Sequence, residues 1–401
     1  MKLGIIREGK DPPDKRVPLG PQHCVEVMQK WPHVEVVVQS SAVRDISDDE
    51  YREAGISIVE DVSDRDILMG VKEVPYDDLI PKKKYFFFSH TYKEQPYNAK
   101  LLKTILDKKI QLIDYELLKK KSGARLLGFG RYAGIVGTYN AFYAWGKKFG
   151  TFELKRAIDC HDREEAESEL KKIVLPDNFK LIVTGKGRVG KGSREILELV
   201  DIEEVSVGEF LNISYSKPCY CHIDVEDYNK HPELEFDRDH FFANEEKYIS
   251  DFYRFAKVAD MYIACHYWAN NAPQILTKEQ IARDDFHLKV IADISCDIKE
   301  PIASTLRAST IAEPVYGYNK ETGEEMDFMD PNSLGVMAVD NLPCELSRDA
   351  SIDFGNNLIS NVFPHLFGDD TERIIERASE TDLNGELMPD FEYLTDYVKG
   401  A

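Results

Sequence analysis

Polar residues that can do acid–base chemistry or bind carboxylates stand at the ends of several apolar segments in the first third of the chain. They are Lys72 and Glu73 after residues 66–71, His90 after residues 85–88, Glu116 after residues 110–113, and Arg16 in the polar loop after residues 3–6. A titratable amine, an imidazole and a guanidinium are the groups that an enzyme acting on amino acids needs. Each residue alone is equally compatible with a solvated loop or an ion pair. Their shared position at segment ends is what predicts an active site.

The apolar segments alternate with segments of helical character. The apolar segments are residues 3–6, 34–38, 66–71, 85–88 and 110–113, and the first helical segment is residues 22–30. This alternation is typical of an α/β fold with a parallel sheet covered by helices. The carboxyl ends of parallel strands meet at one edge of the sheet, where ligands bind. We therefore expect the polar residues above to lie close together.

A second chemical motif is the glycine-rich stretch GKGRVG, which places Gly185, Gly187, Arg188, Val189 and Gly190 between a predicted strand and a predicted helix. The first two glycines would allow a tight turn and a close approach of the backbone to a pyrophosphate, and the third would allow the helix to pack against the strand. We predict that these five residues bind the cofactor NAD or NADP. A glycine-rich turn in an ordinary α/β unit is the alternative.

The nucleotide ribose needs an acidic residue after the second strand of such a unit. We predict that strand at residues 204–207, and Glu209 is the acidic residue nearest to its end. Asp293, after a strand predicted at residues 288–292, is a further candidate for cofactor binding. His266 is either a site residue or a packed histidine.

The composition limits which binding partners and which cellular compartment we expect. The 401 residues carry a net charge of −21, which argues against binding to nucleic acid or anionic membranes. No apolar run approaches the ~20 residues of a membrane span, and the N-terminus leads directly into a strand. We expect a cytoplasmic protein that acts on small molecules, as a monomer or a homo-oligomer.

The seven cysteines have no regular spacing, so they predict no disulfide framework. Cys219 and Cys221 form the one close pair, followed by His222. No second pair of ligands accompanies them, and we therefore predict no metal site. We expect reduced thiols in a loop of the stretch 212–250, which is interpreted as an irregular insertion.

Two segments predict crossings between domains. A small-residue-rich helix is predicted at residues 133–145, where Gly134 and Gly137 would permit close packing, and another helix follows Pro343. The predicted domains are residues 1–136 with 342–401 for substrate and catalysis, and residues 137–341 for the nucleotide.

Seven motifs give the chain a specific resemblance over nearly its whole length. They are DKRVPLGP at 14–21, GVKEVP at 70–75, SHTYK at 89–93, IDYE at 113–116, ARLLGFGRYAG at 124–134, ADISCD at 292–297 and VDNLPCELSRDAS at 339–351. In order and spacing they resemble the lysine-forming saccharopine dehydrogenases and the lysine–2-oxoglutarate reductases, within a wider group that includes alanine dehydrogenase and transhydrogenase. The resemblance implies two Rossmann-like domains with parallel sheets and an active site in the cleft between them.

The same resemblance implies a reaction and roles for residues. The reaction is the oxidation of saccharopine by NAD(P), followed by imine hydrolysis to L-lysine and 2-oxoglutarate, or the reverse. Lys72 matches the base that takes the proton of the secondary amine, and His90 matches the acid–base group for addition of water.

Four further positions match substrate-binding residues of that family. Glu73 and Glu116 match acidic neighbours of the lysine. Arg16 and Arg125 match arginines around the substrate carboxylates. Saccharopine carries three carboxylates, for which arginine side chains are suited partners.

Two other functions remain compatible with the sequence. One is reductive amination of a smaller oxo acid, as in alanine dehydrogenase, because Arg16, Lys72 and a histidine would serve both reactions. The other is a non-catalytic regulatory protein that binds NAD(P). The presence of both Lys72 and His90 argues against that second alternative.

Overall fold

The computed structural model describes residues 1–269 and 271–400. The chain forms two compact units. The first unit comprises Met1–Phe129 and Ser347–Ala401, and the second comprises Gly130–Leu346.

The strands of the described residues form parallel pairs in both units and antiparallel pairs in the second. In chain order the strands are β1 (Lys2–Ile5), β2 (Glu35–Gln39), β3 (Ser57–Val59), β4 (Ile67–Met69), β5 (Lys84–Phe87), β6 (Gln111–Asp114), β7 (Lys180–Thr184), β8 (Glu203–Glu204), β9 (Cys219–Ile223), β10 (Asn229–Lys230), β11 (Ile249–Ser250), β12 (Met261–Ala264), β13 (Val290–Asp293), β14 (Val315–Tyr318), β15 (Glu325–Met326) and β16 (Leu334–Met337).

The helices connect and cover these strands. They are α1 (Pro21–Lys30), α2 (Asp48–Glu53), α3 (Ala99–Asp107), α4 (Gly130–Phe149), α5 (Arg163–Glu169), α6 (Arg188–Val200), α7 (Val207–Asn212), α8 (Val225–Tyr228), α9 (Arg238–Ala243), α10 (Tyr253–Ala256), α11 (Lys278–Ile281), α12 (Ser347–Asn361), α13 (Phe363–Phe367), α14 (Ile374–Arg377) and α15 (Thr395–Lys399). Short 3₁₀ helices occupy Thr91–Lys93, Pro96–Asn98, Tyr115–Leu117, Ala157–Asp159, Leu170–Lys172, Glu245–Lys247, Leu342–Leu346 and Pro389–Leu394.

The first unit is built on a parallel sheet with the strand order β3-β2-β1-β4-β5-β6. Neighbouring residues of one strand enter separate hydrophobic cores on opposite faces. Phe86 belongs to one core, while Tyr85 and Phe87 belong to the other. This alternation follows from the two-residue period of a strand, and the order is that of a doubly wound nucleotide-binding fold. The predicted α/β fold class is confirmed for this unit.

The second unit contains a sheet with the order β15-β14-β16-β13-β12-β7-β9-β8. Its central strands are parallel, and β14 pairs antiparallel with β16 and with β15. The strand β7 lies between β12 and β9, so the glycine loop that follows β7 emerges at the middle of the parallel sheet. This second Rossmann-like sheet confirms the remaining part of the fold-class prediction.

Close packing of α4 on α6 places the glycine loop. A Cβ atom at Gly134 would collide with the carbonyl oxygen of Val189, and a Cβ at Gly192 would collide with that of Arg131. The hydroxyls of Thr138 and Ser193 lie 2.7 Å apart across the same contact. The predicted close approach at Gly134 is therefore confirmed, and its partner is the helix of the glycine loop.

Several predicted elements were wrong, and each error has a physical reason. The helix α6 begins at Arg188, so that Arg188, Val189 and Gly190 lie inside it and not before it. Residues 207–212 form the helix α7, and the strand predicted at 204–207 shrinks to β8. The stretch 212–250 contains β9, whose residues CYCHI are buried in the sheet. Ile223 is the one aliphatic residue of β9 beside cysteines, a tyrosine and a histidine, and so weak an aliphatic signal is why β9 was missed.

Cys219 and Cys221 are therefore buried in a strand and not in a loop. Among the residues that the structure describes, no helix combines the length and the apolar character needed to cross a bilayer.

Replacing Gly134 by Ala tests the contact between α4 and α6. The added methyl group must push the helices apart, and overpacking of this kind costs about 1–3 kcal/mol. We expect a loss of that size in the free energy of unfolding measured with urea. Gly208→Ala is the matched control, because its Cβ would meet no atom within 4 Å on the exposed helix α7. Equal stability of the two variants would contradict the packing argument.

Candidate active site

Lys72 lies directly beyond β4, at the carboxyl end of a central strand, and its side chain is half-buried. Burial lowers the pKa of its amine, the positive charge of Arg16 lowers it further, and the negative charge of Glu73 opposes both. Within residues 1–269 and 271–400, its amine forms no hydrogen bond or ion pair. A lysine with a lowered pKa is suited to accept a proton.

Glu73 holds His90 and Lys10 at the same edge of the sheet. Nδ1 of His90 lies 2.7 Å from one carboxylate oxygen, and Nζ of Lys10 lies 2.7 Å from the other. Burial raises the pKa of Glu73, but these two partners outweigh it and bring the pKa to about 2. An ionised Glu73 accepts the proton of Nδ1, so Nε2 of a neutral His90 carries the lone pair. His90 is thus oriented as a base through Nε2.

Arg16 is fixed by a buried ion pair with Asp14. Nε and Nη2 of Arg16 lie 3.0 and 2.6 Å from the two carboxylate oxygens of Asp14, and both side chains are buried. The guanidinium lies 4.1 Å from the centre of the Phe129 ring. Burial disfavours the charged form of Asp14, yet the charge of Arg16 outweighs it and lowers the pKa of Asp14. The planar fork of Arg16 is therefore held in one orientation.

Glu116 brings two further cations together. Nζ of Lys93 lies 3.0 Å from one oxygen of Glu116, and Nη2 of Arg125 lies 2.6 Å from the same oxygen. Burial raises the pKa of Glu116, but the hydrogen bond from Lys93 and the charge of Arg125 lower it overall. The Arg125 side chain remains half-exposed at this edge.

The carboxylate of Glu8 holds the backbone beside Lys72. It accepts hydrogen bonds from the backbone N–H of Val71 at 2.6 Å and of Lys72 at 3.0 Å. Burial raises the pKa of Glu8, against the effect of these two hydrogen bonds. The contact fixes the peptide that carries the Lys72 side chain.

A buried carboxyl pair lies under the His90 loop. The hydroxyl of Ser89 is 2.6 Å from Asp114 and 3.0 Å from Glu380, and the hydroxyl of Thr91 is 2.7 Å from Glu380. Burial and the charge of Asp114 raise the pKa of Glu380 to about 8, and burial also raises the pKa of Asp114. The single hydrogen of Ser89 can serve only one carboxyl group at a time. The pair therefore holds a proton at neutral pH.

This pair predicts a pH dependence of stability. The folded protein keeps a proton that the unfolded chain releases above its ordinary pKa of 4.5. Stability is therefore fully present below that pH and falls as the pH rises towards 8, by at most about 1.4 kcal/mol per pH unit for one proton. Glu380→Gln should remove most of this slope in urea unfolding measured between pH 5 and 8. The exposed Glu392→Gln serves as control, and a slope unchanged by Glu380→Gln would contradict the assignment.

The glycine loop of the second unit has the geometry of a phosphate cradle. Gly185 has a φ of +88°, and a Cβ there would meet the backbone of Cys265 at 2.6 Å. A Cβ at Gly190 would collide with the carbonyl oxygen of Gly185, whereas a Cβ at Gly187 would meet nothing within 4 Å. Gly187 is the residue before the first turn of α6, whose N–H groups favour an anion. The open space at Gly187 therefore fits a pyrophosphate.

A cavity of about 450 Å³ adjoins this loop. Its lining combines the loop with residues that follow β9 and β12, namely Gly185, Lys186, Gly187, Arg188, Val189, Asp224, Val225, Tyr228, Arg238, Phe242, Cys265, His266 and Tyr267. Nε2 of His222 donates to the carbonyl oxygen of Gly185 at 2.8 Å and so supports the turn from β9. Among the described residues there is no group of histidine, cysteine and acidic side chains that could hold a metal ion.

Two predicted cofactor residues are engaged elsewhere. Glu209 accepts hydrogen bonds from the backbone and hydroxyl of Ser206 at 3.0 and 2.6 Å, which caps α7, and it does not line the cavity. Asp293 is buried and accepts hydrogen bonds from the hydroxyls of Ser295 and Thr305, each at 2.7 Å. The structure thus gives both residues a local structural contact. Asp224, one residue after β9, is the acidic residue that lines the cavity.

His266 lines the cavity but packs as a buried histidine. Its Nδ1 lies 2.9 Å from the hydroxyl of Thr184, and burial lowers its pKa to about 3. The sequence of His266 is compatible with a site residue or with a packed one. Its contacts in the structure are those of a packed histidine.

Sequence reasoning also missed functional neighbours of the predicted residues. Lys10 and Lys93 are ordinary loop lysines by sequence, and only the fold brings them to Glu73 and Glu116. Asp224 was missed because β9 was missed. The signal that could have located it is the short stretch CYCHI followed at once by an acidic residue.

Comparisons with known proteins agree with this geometry. Residues 4–136 match the family model described as alanine dehydrogenase/PNT, N-terminal domain. The chain is 30% identical over 400 residues to an alpha-aminoadipic semialdehyde synthase of Arabidopsis thaliana, with 89% of this chain and 37% of that protein covered. It is 24% identical to the saccharopine dehydrogenase [NAD(+), L-lysine-forming] of Emericella nidulans, with 89% and 90% covered.

Among solved structures, an L-alanine dehydrogenase has a TM-score of 0.65 at 15% identity and covers 99% of this chain, which shows a shared fold. The chain spans little more than a third of the length of the plant synthase. Together these matches confirm the resemblance to the saccharopine dehydrogenases and to the wider alanine dehydrogenase group.

Proposed function

We propose that this chain, which is similar to saccharopine dehydrogenases and to the alanine dehydrogenase group, interconverts saccharopine with L-lysine and 2-oxoglutarate using NAD(P). The observation that carries the proposal is the arrangement at the sheet edge of the first unit. A lysine with a lowered pKa lies beside a histidine that a carboxylate orients. The reaction needs such a pair, because it has one proton transfer at the amine and others at water and the carbinolamine.

Lys72 serves as the base at the secondary amine. In the oxidative direction the amine nitrogen loses its proton to the neutral Nζ of Lys72, and the adjacent carbon loses a hydride. When bound, the nicotinamide supplies the hydride acceptor. The lowered pKa of Lys72 makes its neutral form available at lower pH than in free lysine. The product of this step is the imine of saccharopine.

His90 serves the hydrolysis of that imine. Because Nδ1 donates to Glu73, Nε2 is free to take a proton from the attacking water. The imine carbon then carries a hydroxyl, and the carbinolamine collapses when its hydroxyl loses a proton and the amine nitrogen gains one. The products are L-lysine and 2-oxoglutarate, so atoms and charges balance with one water consumed.

Arg16 and Arg125 are proposed to bind substrate carboxylates. Each has part of its guanidinium on an acidic residue, Asp14 or Glu116, which fixes its orientation. A pre-oriented guanidinium loses less freedom when a carboxylate binds. Glu73 and Glu116 then act as anchors for the cations and for His90.

The nucleotide is proposed to bind at the glycine loop of the second unit. Gly185, Gly187 and Gly190 form the turn, and Arg188 and Val189 begin the helix whose N–H groups would receive the pyrophosphate. The fit rests on the space left at Gly187. A group with two phosphates is the ligand that such a cradle accepts.

The first test is oxidation of NADH or NADPH with L-lysine and 2-oxoglutarate. We expect a fall in absorbance at 340 nm only when both compounds are present, because the hydride acceptor is their imine. Each compound alone is the control. Oxidation with an oxo acid and ammonia instead would indicate an alanine dehydrogenase-like reaction. Tight nucleotide binding without any turnover would indicate a regulatory protein.

The second test concerns the two acid–base residues. Lys72→Met and His90→Gln should each lower kcat by roughly 10²-fold or more, which is the usual share of general acid–base catalysis. Nucleotide affinity should persist, because the cradle lies in the other unit. Lys121→Met and His33→Gln are controls of the same types at exposed positions. Wild-type turnover in either site variant would contradict the proposed acid–base role of that residue.

A further inference from the structure

We infer that Glu380 is a positioning residue for His90, and that it acts through the hydroxyls of Ser89 and Thr91 on either side of the histidine. This role rests on the proposed function, which gives His90 its acid–base task. It lies in the segment after α14, which the prediction of site residues from sequence did not include.

The backbone of His90 adopts a conformation that a histidine does not hold unaided. Its φ is +55°, in the left-handed region that favours glycine. Such a conformation persists where the surrounding contacts determine it. The orientation of His90 therefore depends on the groups that hold its two neighbours, Ser89 and Thr91.

Glu380 holds both neighbours with one carboxyl group. Its Oε1 lies 3.0 Å from Oγ of Ser89, and its Oε2 lies 2.7 Å from Oγ1 of Thr91. All three side chains are fully buried. The two hydroxyls lie 2.6 Å apart, and the backbone N–H of Thr91 donates to Oγ of Ser89 at 3.2 Å. Glu380 thus bridges the residues before and after His90.

The partners of the two buried carboxyl groups place their shared proton on Glu380. Oδ2 of Asp114 accepts from the backbone N–H of Ser89 at 2.8 Å, and Oδ1 accepts from that of Glu116 at 2.7 Å. Because an N–H group can only donate, both oxygens of Asp114 must accept. The side chain of Glu380 contacts hydroxyls, which can donate or accept. A protonated Glu380 can therefore donate to one hydroxyl and accept from the other.

Backbone hydrogen bonds to β6 place Glu380 under the His90 loop. The N–H of Glu380 donates to the carbonyl oxygen of Leu112 at 2.8 Å, and the N–H of Asp114 donates to that of Ala378 at 3.1 Å. Residues 378–380 thus run along β6. This pairing brings the Glu380 side chain to the carboxyl end of the sheet, where Ser89 follows β5.

Two tyrosines hold the rest of this segment against the same loop. The hydroxyl of Tyr393 donates to the carbonyl oxygen of Tyr92 at 2.8 Å, and the hydroxyl of Tyr397 donates to that of Gln95 at 2.5 Å. Of these three contacts between the segment and the His90 loop, the one made by Glu380 adjoins the histidine. Removing the Glu380 carboxyl group should therefore loosen His90 while the tyrosines keep the segment in place.

The test measures kcat with L-lysine, 2-oxoglutarate and NADH in variants of Glu380. Glu380→Ala removes both hydroxyl contacts, so kcat should fall by roughly 10-fold or more, because a small displacement of an acid–base group is costly. Glu380→Gln should keep kcat close to that of the wild type, because its amide donates and accepts as the protonated acid does. The exposed Glu392→Ala is the control in the same segment. The dissociation constant of NADH should stay unchanged in every variant.

A double-mutant cycle distinguishes an effect through His90 from a general loosening of the fold. Adding Glu380→Ala to His90→Gln should lower kcat no further, because the displaced group is already absent. Losses that multiply in the double variant would overturn the positioning role. Thr91→Val removes one of the two hydroxyls at nearly constant volume and should lower kcat in the same direction. It takes the place of Glu380→Ala if that variant does not fold.

NMR of the protein with isotope-labelled histidine gives a readout that needs no turnover. The ring signals of His90 are assigned by their absence from His90→Gln. They should shift in Glu380→Ala and keep their wild-type positions in Glu380→Gln, while the signals of the exposed His33 stay unchanged in both variants. Circular dichroism shows whether each variant is folded.

The outcomes separate this role from the proposed reaction. Wild-type kcat, or unchanged His90 signals, in Glu380→Ala overturns the role of Glu380 even if lysine and 2-oxoglutarate are turned over. Shifted His90 signals in that variant, without turnover of these compounds by the wild type, support the positioning of His90 and overturn the proposed reaction. Unchanged signals and no turnover overturn both.

Discussion

The proposed chemistry of the first unit depends on one constraint, the half-buried amine of Lys72, which forms no ion pair with any residue that the structure describes. Burial penalises the charged form of Lys72, and Arg16 adds repulsion. Burial is the larger effect on the pKa of Lys72, and Arg16 adds to it while its charge stays close. Asp14 makes that possible, because it holds the guanidinium in a buried ion pair. The reactivity of one lysine thus depends on a contact between two other residues.

The same logic governs the remaining charges at this edge. Glu73 and Glu116 stay ionised because each has two cationic or hydrogen-bonding partners. Among the described residues no cation offsets the charge of the Asp114 and Glu380 pair, which keeps a proton instead. The opposite outcomes follow from burial together with neighbouring charge, because burial and a like charge raise the pKa of the Asp114 and Glu380 pair, whereas cations lower that of Glu73 and Glu116. His90 has both kinds of carboxyl group as neighbours. The ionised Glu73 contacts its ring, and the protonated pair lies under its loop.

The sequence predicted much of this arrangement and missed the rest for identifiable reasons. The apolar strands that precede Lys72, His90 and Glu116 could be identified from the sequence. Because the carboxyl ends of parallel strands meet at one edge of a sheet, the three residues could also be predicted to lie close together. The partners Lys10 and Lys93 were not, because an ion pair between separate loops leaves no periodic signal. The nucleotide unit shows the same limit. Its glycine loop was recognised by spacing, while Asp224 follows a strand with a single aliphatic residue, which the sequence did not mark as a strand.

Local charge, rather than the total, decides which ligands these edges attract. The chain carries −21 overall, but screening limits that field to about 8 Å at physiological salt. The sheet edge of the first unit brings together five cations and three acids. They are Lys10, Arg16, Lys72, Lys93 and Arg125, and Asp14, Glu73 and Glu116. The local net charge is therefore +2 when Lys72 is protonated and +1 when it is neutral.

An excess of this sign suits a substrate with three carboxylates and two amines. In the proposed reaction, proton uptake by Lys72 raises the local positive charge at the moment when the substrate nitrogen loses its own proton. The carboxylates of the bound substrate then stabilise the charged lysine. Substrate binding and the lowered pKa therefore oppose each other, so the amine is a stronger base with its anionic substrate present than in the free protein.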